Sequence, residues 1–569
     1  MIKKAIILPT LLFFCAVYSS AQENKQGSDL KREVTLYNPY KPSISDAKKR
    51  SFLPDMADTM KTRHNFRYSV TAEPFMPVYP VSPLKAAALL PDPLTKLYKS
   101  YVNLGLGNNF TPLAELSITN ERSKKGSIGF YGRHFSGNGF VPLQNGKEVF
   151  DGFMDNDISV FGRRFFGNVQ LETSVDYSGM TRYAYGYDTS YTDYSATKKD
   201  VRIDYHNLGG KISLSSLTVD SSDFAYDFDL RYNYFTSTSA LYEHNFGITG
   251  LGKKEFKGFY VGSGIGFDYY ALPSAILNKG EYIFSLSPFL SKNKGPWSFS
   301  VGFEAILDKN MTSNVKVHFY PDLNLQFNIV PSYLSFFAGM SGKLERNNPL
   351  KIISENPYVV SDTLFKLSNT DHELVFSAGL KGNNGIGGNY LVSVSYSSVN
   401  DMLLYSNLIS PAGAIDPEPG NRFLPSSDDA DILNLHGEMT GVITGKVSYE
   451  WEANWNKYTM ARNDYAWNMP EWDISAGLKY NLRNKIIAGA GINALGKRWQ
   501  QVRELNPAGI SEIFETPVHL NLNLSAEYRY SKILSVWAKF NNISWNRYYE
   551  YAYYPTQGFL VMLGFSYSL

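Results

Sequence analysis

Histidines are the residues of this sequence best suited to acid–base chemistry, because imidazole titrates near neutral pH. Four of them fall in runs of alternating polar and apolar residues, and we expect most of their side chains to lie on polar strand faces: His134, His206, His436 and His519. His436 and Glu438 are two positions apart, so they share one face of a strand. A hydrolase needs a serine beside such a pair, and a polar wall produces His–Glu pairs by chance. We therefore predict no catalytic residues and no enzyme activity.

Carboxylates offer the next possible chemistry, since they are the ligands that Ca²⁺ prefers. The stretch Ser426–Asp431 carries three aspartates, but it lacks the glycine and the twelfth-position glutamate of an EF-hand loop. We interpret this stretch as a solvated loop end, and the same interpretation applies to Asp151, Asp155 and Asp157. The sequence has no Cys/His metal set and no glycine-rich phosphate loop, so we predict no metal site and no cofactor.

Composition favours strands in a membrane over a soluble, helical protein. The chain has 569 residues with 41 Tyr and 36 Phe, and only 19% of its residues are charged. Aromatic residues favour strands and membrane interfaces. After residue 20, no stretch approaches the roughly 20 apolar residues that a membrane helix needs. The net charge of +2 lacks the basic excess of a nucleic-acid binder, so we expect no nucleic-acid partner.

The chain alternates with a period of two from about Lys99 to its end. Examples are Val169–Gly179, Phe224–Tyr234 and Val518–Tyr530, each with one apolar face and one polar face. These runs are longer than ordinary strands and match the roughly 9–11 residues that a tilted membrane strand requires. The pattern predicts an all-β fold, a transmembrane antiparallel β-barrel over residues 99–569. A soluble β-sandwich or propeller is the alternative, but its strands would be shorter.

Short and long connections alternate along the chain. The short ones are Arg122–Gly126, Phe166–Asn168, Thr218–Asp223, Lys253–Gly258, Lys292–Pro296, Val330–Tyr333, Gly382–Gly388, Thr444–Lys446, Leu482–Lys485 and Tyr530–Lys532. The longer ones include Gly137–Val149, Gly186–Lys199, Glu345–Asp371, Ser406–Asp428, Gly496–Pro517 and Ser544–Thr556. Outer-membrane barrels have short periplasmic turns and long outer loops, so we predict about 22 strands, an even number.

The first 98 residues follow a different pattern. Lys3, Lys4 and the apolar run that follows predict a signal peptide over residues 1–21, cleaved after Ala21. A lipoprotein anchored through Cys15 is the alternative, although Phe14 stands where that processing needs a small residue. Residues 22–98 contain nine prolines and no sustained period. We expect this segment to be periplasmic or partly folded into the barrel mouth.

The C-terminal residues resemble a known family of barrels. Phe559–Leu569 resembles the strand by which outer-membrane barrels are recognised for insertion, although that signal usually ends in an aromatic residue. Upstream, Asn541-Asn542-Ile543, Tyr548-Tyr549 and Tyr554-Pro555 resemble the closing strands of TonB-dependent receptors. This resemblance implies their barrel, whereas residues 22–98 are too few and too proline-rich for their plug domain, and no TonB-binding box is evident.

Two further resemblances concern the envelope of one group of bacteria. The Tyr and Asn content is similar to that of Bacteroidetes envelope proteins. Asp58-Thr59-Met60 and Asp362-Thr363-Leu364 resemble the O-glycosylation motif of those bacteria.

A barrel of about 22 strands encloses a lumen that transporters keep plugged, so something must occlude it. The candidates are the loops Glu345–Asp371 and Ser406–Asp428, the inward Trp537, residues 60–98, or a partner protein. Aromatic residues near the predicted strand ends are interpreted as an interfacial girdle, with sugar stacking as the alternative: Tyr183, Tyr185, Tyr187, Tyr548, Tyr549, Tyr551, Tyr553 and Tyr554.

Two functions fit a plugless barrel in the Gram-negative outer membrane. The first is a structural or accessory component of an outer-membrane complex, with lipids and a lipoprotein or second barrel as partners. The alternative is a transporter or channel for a solute such as a glycan or siderophore. The missing plug and the missing TonB box favour the structural role and make coupling to TonB doubtful.

Overall fold

The structure, a computed structural model, describes residues 98–120, 123–190, 194–217, 224–238, 241–272, 280–310, 314–360, 367–385, 387–409, 419–504 and 511–569. The predicted signal peptide, nearly all of the proline-rich segment 22–98 and the motifs at 58–60 and 362–364 lie outside the described residues. The absence of a plug therefore stays a prediction.

Twenty-two antiparallel strands form one closed sheet. They are β1 (Ser100–Gly107), β2 (Thr111–Thr119), β3 (Gly126–Gly137), β6 (Phe153–Phe166), β7 (Val169–Tyr183), β8 (Arg202–Ser216), β9 (Ala225–Ser237), β10 (Tyr242–Phe256), β11 (Phe259–Ala271), β12 (Glu281–Lys294), β13 (Trp297–Lys309), β14 (Lys316–Val330), β15 (Leu334–Glu345), β16 (Thr370–Asn383), β17 (Asn389–Ile409), β18 (Pro419–Ile443), β19 (Val447–Met460), β20 (Trp472–Leu482), β21 (Ile486–Leu495), β24 (His519–Arg529), β25 (Leu534–Asn541) and β28 (Leu560–Ser568). The barrel closes because β1 pairs with both β2 and β28. The predicted all-β barrel is confirmed.

Smaller elements lie in the connections. They are the hairpin β4 (Phe140–Pro142) with β5 (Glu148–Phe150), the helix α1 (Pro349–Glu355), the hairpin β22 (Arg498–Glu504) with β23 (Ser511–Thr516), and the hairpin β26 (Tyr549–Tyr551) with β27 (Tyr554–Pro555). Across the described ranges, no helix has both the length and the apolar character required to cross a bilayer.

The alternation of the sequence separates an apolar outside from a polar inside. Val175 is 57% exposed and Leu524 is 49% exposed, as expected for side chains that face lipid. On the opposite face, an ion pair of 2.7 Å joins Arg231 to Asp268. The outer surface is therefore apolar, and the lumen wall is lined by polar and charged side chains.

The two ends of the barrel differ as the connection lengths predict. At the end that also holds Lys99 and Leu569, tight turns join the strands. Lys257–Gly258 and Thr444–Gly445 have positive φ at both positions, the conformation of a type I′ turn, which matches the twist of the flanking strands. At the other end the connections are mostly longer, and β17 and β18 extend far beyond the length of a membrane strand. The predicted loop Ser406–Asp428 was therefore too long, since β17 ends at Ile409 and β18 begins at Pro419.

Candidate functional site: an outer cap above a polar lumen

The long connections pack together around a hydrophobic core of their own. This core, called the cap core below, consists of Ala184, Ile203, Tyr205, Phe235, Leu241, Ile352, Ile353, Tyr358, Val359, Leu403, Tyr405, Phe423, Tyr551 and Tyr554. Its members come from β8, β9, β17 and β18, from α1 and the residues after it, from two further connections and from the β26–β27 hairpin. Burial of this much apolar surface makes the cap a cohesive unit, because each buried side chain of this size contributes roughly 1.5–3 kcal/mol.

Hydrogen bonds tie opposite walls of the barrel together through the cap. Asp188, in the connection after β7, donates its backbone N–H to the carbonyl of Pro419 at the start of β18, at 2.8 Å. Ten barrel strands separate β7 from β18 in either direction around the ring. The Tyr554 hydroxyl also donates to the carbonyl of Asn421, at 2.6 Å. The cap therefore spans the outer mouth.

The helix α1 is held by local signals in its sequence. Asn348 caps the N-terminus by accepting a hydrogen bond of 2.8 Å from the backbone N–H of Lys351, and Pro349 occupies the first turn. Ile352 and Ile353 point into the cap core. The predicted occluding loop Glu345–Asp371 is thus part of the cap.

Arg346 anchors this connection to the barrel wall. Its guanidinium donates hydrogen bonds to both carboxylate oxygens of Glu243, at 3.2 and 2.8 Å, and to Glu281 at 2.8 Å. It also lies over the ring of Tyr270, 3.3 Å from its centroid. The two carboxylates raise the pKa of Arg346 far above its ordinary value, in spite of burial that opposes this. One buried cation thus joins the start of the α1 connection to β10, β11 and β12.

The β22–β23 hairpin closes a second part of the mouth. It leaves the barrel between β21 and β24, crosses over β18–β20 and pairs in parallel with the outer end of β17, from Ser406↔Gln501 to Ile409↔Glu504. The Ser406 hydroxyl donates to Oε1 of Gln501 at 2.7 Å. This is a non-covalent pairing of four residue pairs that must break if the hairpin lifts.

The tyrosines predicted to form a girdle instead lie mostly in the cap. Tyr551 and Tyr554 are buried members of the cap core, and Tyr185 is packed against it. The rings of Tyr358 and Tyr554 stack with centroids 4.1 Å apart. The girdle interpretation is wrong for these residues, because their connections turn inward and stack the rings on one another. Burial also removes them as an open sugar-stacking surface.

The lumen below the cap contains a recess at the turn end of the barrel. Two adjoining cavities of about 1060 and 710 Å³ share Lys479, Gly489, Ser525 and Lys539 in their linings. Trp537 faces inward as predicted, and its Nε1 donates to Oδ1 of Asn103 at 2.7 Å.

Trp537 lies flat because the neighbouring strands provide a niche. Gly105 and Gly564 stand beside the indole, and a Cβ on either glycine would collide with the ring. The ring therefore lies against the wall and lines the first cavity.

The histidines split between the two faces of the wall. The prediction of a mostly polar placement is wrong for His134 and His206, which share the rows of exposed apolar residues, and His206 Nδ1 lies 2.9 Å from the Tyr177 hydroxyl. His436 faces the lumen, 3.8 Å from Glu438, and its Nδ1 lies 2.8 Å from Oδ1 of Asn454.

The acidic stretch is not a solvated loop end. Ser426–Asp431 lies within β18, and Asp428 is fully buried. Asp428 accepts hydrogen bonds from Arg462 and Asn463, and so fixes the connection after β19. Within the described ranges, no group of three or more His, Cys, Asp or Glu side chains is placed to hold a metal ion.

Arg182 brings Asp155 into an ion pair of 2.7 Å near the cap. Asp151 is buried between β5 and β6, and this burial raises its pKa to about 6. Neither arrangement was evident from the sequence, where these aspartates are only part of a polar run.

No protein-family model matches this sequence, and a search of curated proteins finds no match. Several solved structures share its fold. The FrpB iron transporter from Neisseria meningitidis (F3-3 variant) has a TM-score of 0.64 at 11% identity, over 84% of this chain and 82% of that chain.

Two more solved structures have the same fold. The pyoverdine outer membrane receptor FpvA from Pseudomonas aeruginosa has a TM-score of 0.60 at 12% identity, over 84% and 79% of the chains. The copper transporter OprC has a TM-score of 0.59 at 13% identity, over 84% and 82%. At these identities the likeness establishes the fold. The chain is an outer-membrane β-barrel of 22 strands, with the barrel architecture of such transporters and receptors.

Proposed function

We propose that this protein is a gated outer-membrane transporter, in which a solute passes through the barrel when the outer cap opens. The observation that carries the proposal is the combination of a cohesive cap across the outer mouth with a recess left in the lumen beneath it. A barrel of 22 strands encloses a lumen wide enough for a solute, whereas the interior of a barrel of about eight strands is filled by side chains.

The cap changes the balance between the two functions considered from the sequence. The sequence favours the structural role because no plug domain and no TonB-binding box are evident in it. The chain's own connections pack together across the outer mouth, so a partner is not needed to cover it. The barrel also resembles two proteins described as an iron transporter and a copper transporter and one described as a pyoverdine receptor, which supports the transport alternative.

Opening would separate named contacts rather than deform the barrel wall. The β22–β23 hairpin would release β17, and the connection after β7 would release the start of β18. The strands would keep their antiparallel ladders throughout. Loops with a separate core can open at lower cost than the scaffold that carries them.

Single-channel recording in planar bilayers tests this proposal. The variant replaces residues 349–368 by Gly-Gly-Ser-Gly and so removes α1 and four cap-core residues. We expect the full-length chain to be electrically silent and the variant to conduct. A matched control replaces the exposed residues 144–147, at the tip of the β4–β5 hairpin, by Gly-Gly-Ser-Gly, and none of these residues belongs to the cap core. It should stay silent.

The opposite result has a clear meaning. If the variant folds, as judged by its heat-dependent gel migration, and still does not conduct, the cap is not the gate and the transport proposal fails. A stoichiometric complex with a lipoprotein or a second barrel, purified in mild detergent, would then support the structural role.

A further inference from the structure

Two lysines stand at either end of one row across four neighbouring strands of the lumen wall. The register pairs Lys479 with Gly489, Gly489 with Ser525, and Ser525 with Lys539. Since neighbouring strands lie about 4.8 Å apart, the two lysine Cα atoms are roughly 14 Å apart. Extended lysine side chains can therefore converge over the two small residues between them.

Small side chains make the recess at this place. In the next row towards the cap, Gly477 pairs with Gly491, and Gly491 pairs with Asn523. The side chain of Glu450 lies over Gly477, but the space in front of Gly491 stays open. The two cavities meet at this part of the wall. In the row that contains the two lysines, the lysine side chains are the longest, and their ammonium groups extend into this space.

The charge around the recess is strongly one-sided. Among the described residues, six basic side chains line the larger cavity: Lys479, Arg483, Lys485, Arg529, Lys532 and Lys539. The two linings contain two carboxylates, Glu450 in the smaller cavity and Glu527 in the larger one, and Glu527 already pairs with Arg529 at 3.0 Å. Lys479 and Lys539 form no ion pair within the described part of the chain, and Lys539 lies 4.9 Å from the ring centroid of Trp537.

Other parts of the lumen wall neutralise their cations. Lys211 pairs with Asp229 at 3.1 Å, and Arg231 pairs with Asp268 at 2.7 Å. Each of these carboxylates lies on a strand adjacent or close to its cation. Glu450 lies on the strand next to Lys479, and Glu527 lies on the strand next to Lys539. Within the described ranges neither carboxylate forms an ion pair with these lysines, so the attraction of the lysines for a mobile anion is only partly compensated.

We propose that the recess between Lys479 and Lys539 binds a small polyanionic solute that carries phosphate or carboxylate groups. This inference rests on the proposed transport function, since it names the chemical class of the solute that the lumen takes. Two ammonium groups over a floor of Gly489 and Ser525 suit a ligand with at least two negative groups. The hydroxyl of Ser525 adds a donor between them.

Isothermal titration calorimetry of the full-length protein in detergent tests the proposal. Tripolyphosphate and citrate are the probes for phosphate and carboxylate, and maltotriose is the neutral comparison. We expect one or both anions to bind and maltotriose not to bind. The double variant Lys479→Gln/Lys539→Gln should weaken anion binding by about tenfold or more, because it removes both charged donors.

A matched control carries Lys124→Gln/Lys125→Gln, which removes two exposed lysines at a tight turn. It should bind the anions like the unaltered protein. Equal binding by both double variants, or no binding of either anion by the unaltered protein, overturns the proposal. Because this assay needs no opening of the cap, its failure is distinguishable from a silent bilayer recording, which concerns the gate.

Discussion

Replacement of Arg346 by methionine should loosen the cap without unfolding the barrel. The change keeps much of the side-chain volume but removes the cation that Glu243 and Glu281 share. Glu243 is only 3% exposed, so its carboxylate would stay buried next to another carboxylate. Loss of one partner from a buried ion pair costs about 3–5 kcal/mol. That cost corresponds to an increase of roughly 100-fold to 3,000-fold in the ratio of open to closed cap.

The labelling rate of a buried cysteine measures this ratio. Ala184 is fully buried in the cap core, and cysteine is only slightly larger, so Ala184→Cys reports opening at a maleimide reagent. The single natural cysteine, Cys15, is removed by starting the expressed chain after Ala21. We expect Arg346→Met to speed labelling of residue 184 by about 100-fold or more.

A matched variant separates charge from packing. Arg346→Met combined with Glu243→Gln and Glu281→Gln removes the two stranded carboxylates, so it should recover most of the original labelling rate. If Arg346→Met changes the rate less than threefold while the barrel stays folded, the anchoring role assigned to this cation is wrong.

Three further predictions concern other contacts of the cap. Burial raises the pKa of Asp151 from its unfolded value of 3.8 to about 6, so the folded state holds this proton more tightly. Cap stability should therefore be highest below about pH 4, fall by roughly 3 kcal/mol as the pH rises to 6, and then level off. Asp151→Asn should abolish that change in cysteine labelling measured against pH. Oxidation of Ser406→Cys/Gln501→Cys should lock β22 to β17 and silence any conductance of the Arg346→Met protein, with dithiothreitol restoring it; conduction that persists after oxidation would place the gate elsewhere. Asp428→Ala should expose the connection after β19 to trypsin at Arg462, because that side chain and Asn463 lose their acceptor; unchanged digestion would contradict this role.

The barrel was predictable because its signals are local. In Val169–Gly179 the side of the strand on which a residue lies can be predicted from the residues two positions before and after it. In the structure this strand continues only a few residues further, to Tyr183. Tight turns such as Lys257–Gly258 can likewise be predicted from only a few neighbouring residues. The count of 22 strands follows from these two signals together.

The cap was not predictable because its contacts join residues far apart in the chain. Tyr358 and Tyr554 stack on each other although nearly two hundred residues separate them, and each alone is typical of an interfacial girdle. Trp537 shows the same limit, since its niche depends on Gly105 in the first strand. The register that aligns Lys479 with Lys539 also depends on pairings across the β22–β23 insertion. One feature of the sequence does point to the cap. The long connections contain more tyrosines than an interfacial girdle requires.

The origin of the cap core on opposite walls fixes an order of events during biogenesis. Residues after β7 and at the start of β18 can meet only when the strands between them have curled into half a cylinder, so the cap core cannot form before that part of the wall. The wall itself is complete only when β28 joins β1, so a nascent sheet that has not joined its two edges leaks along that seam even with a formed cap, unless the insertion machinery shields it.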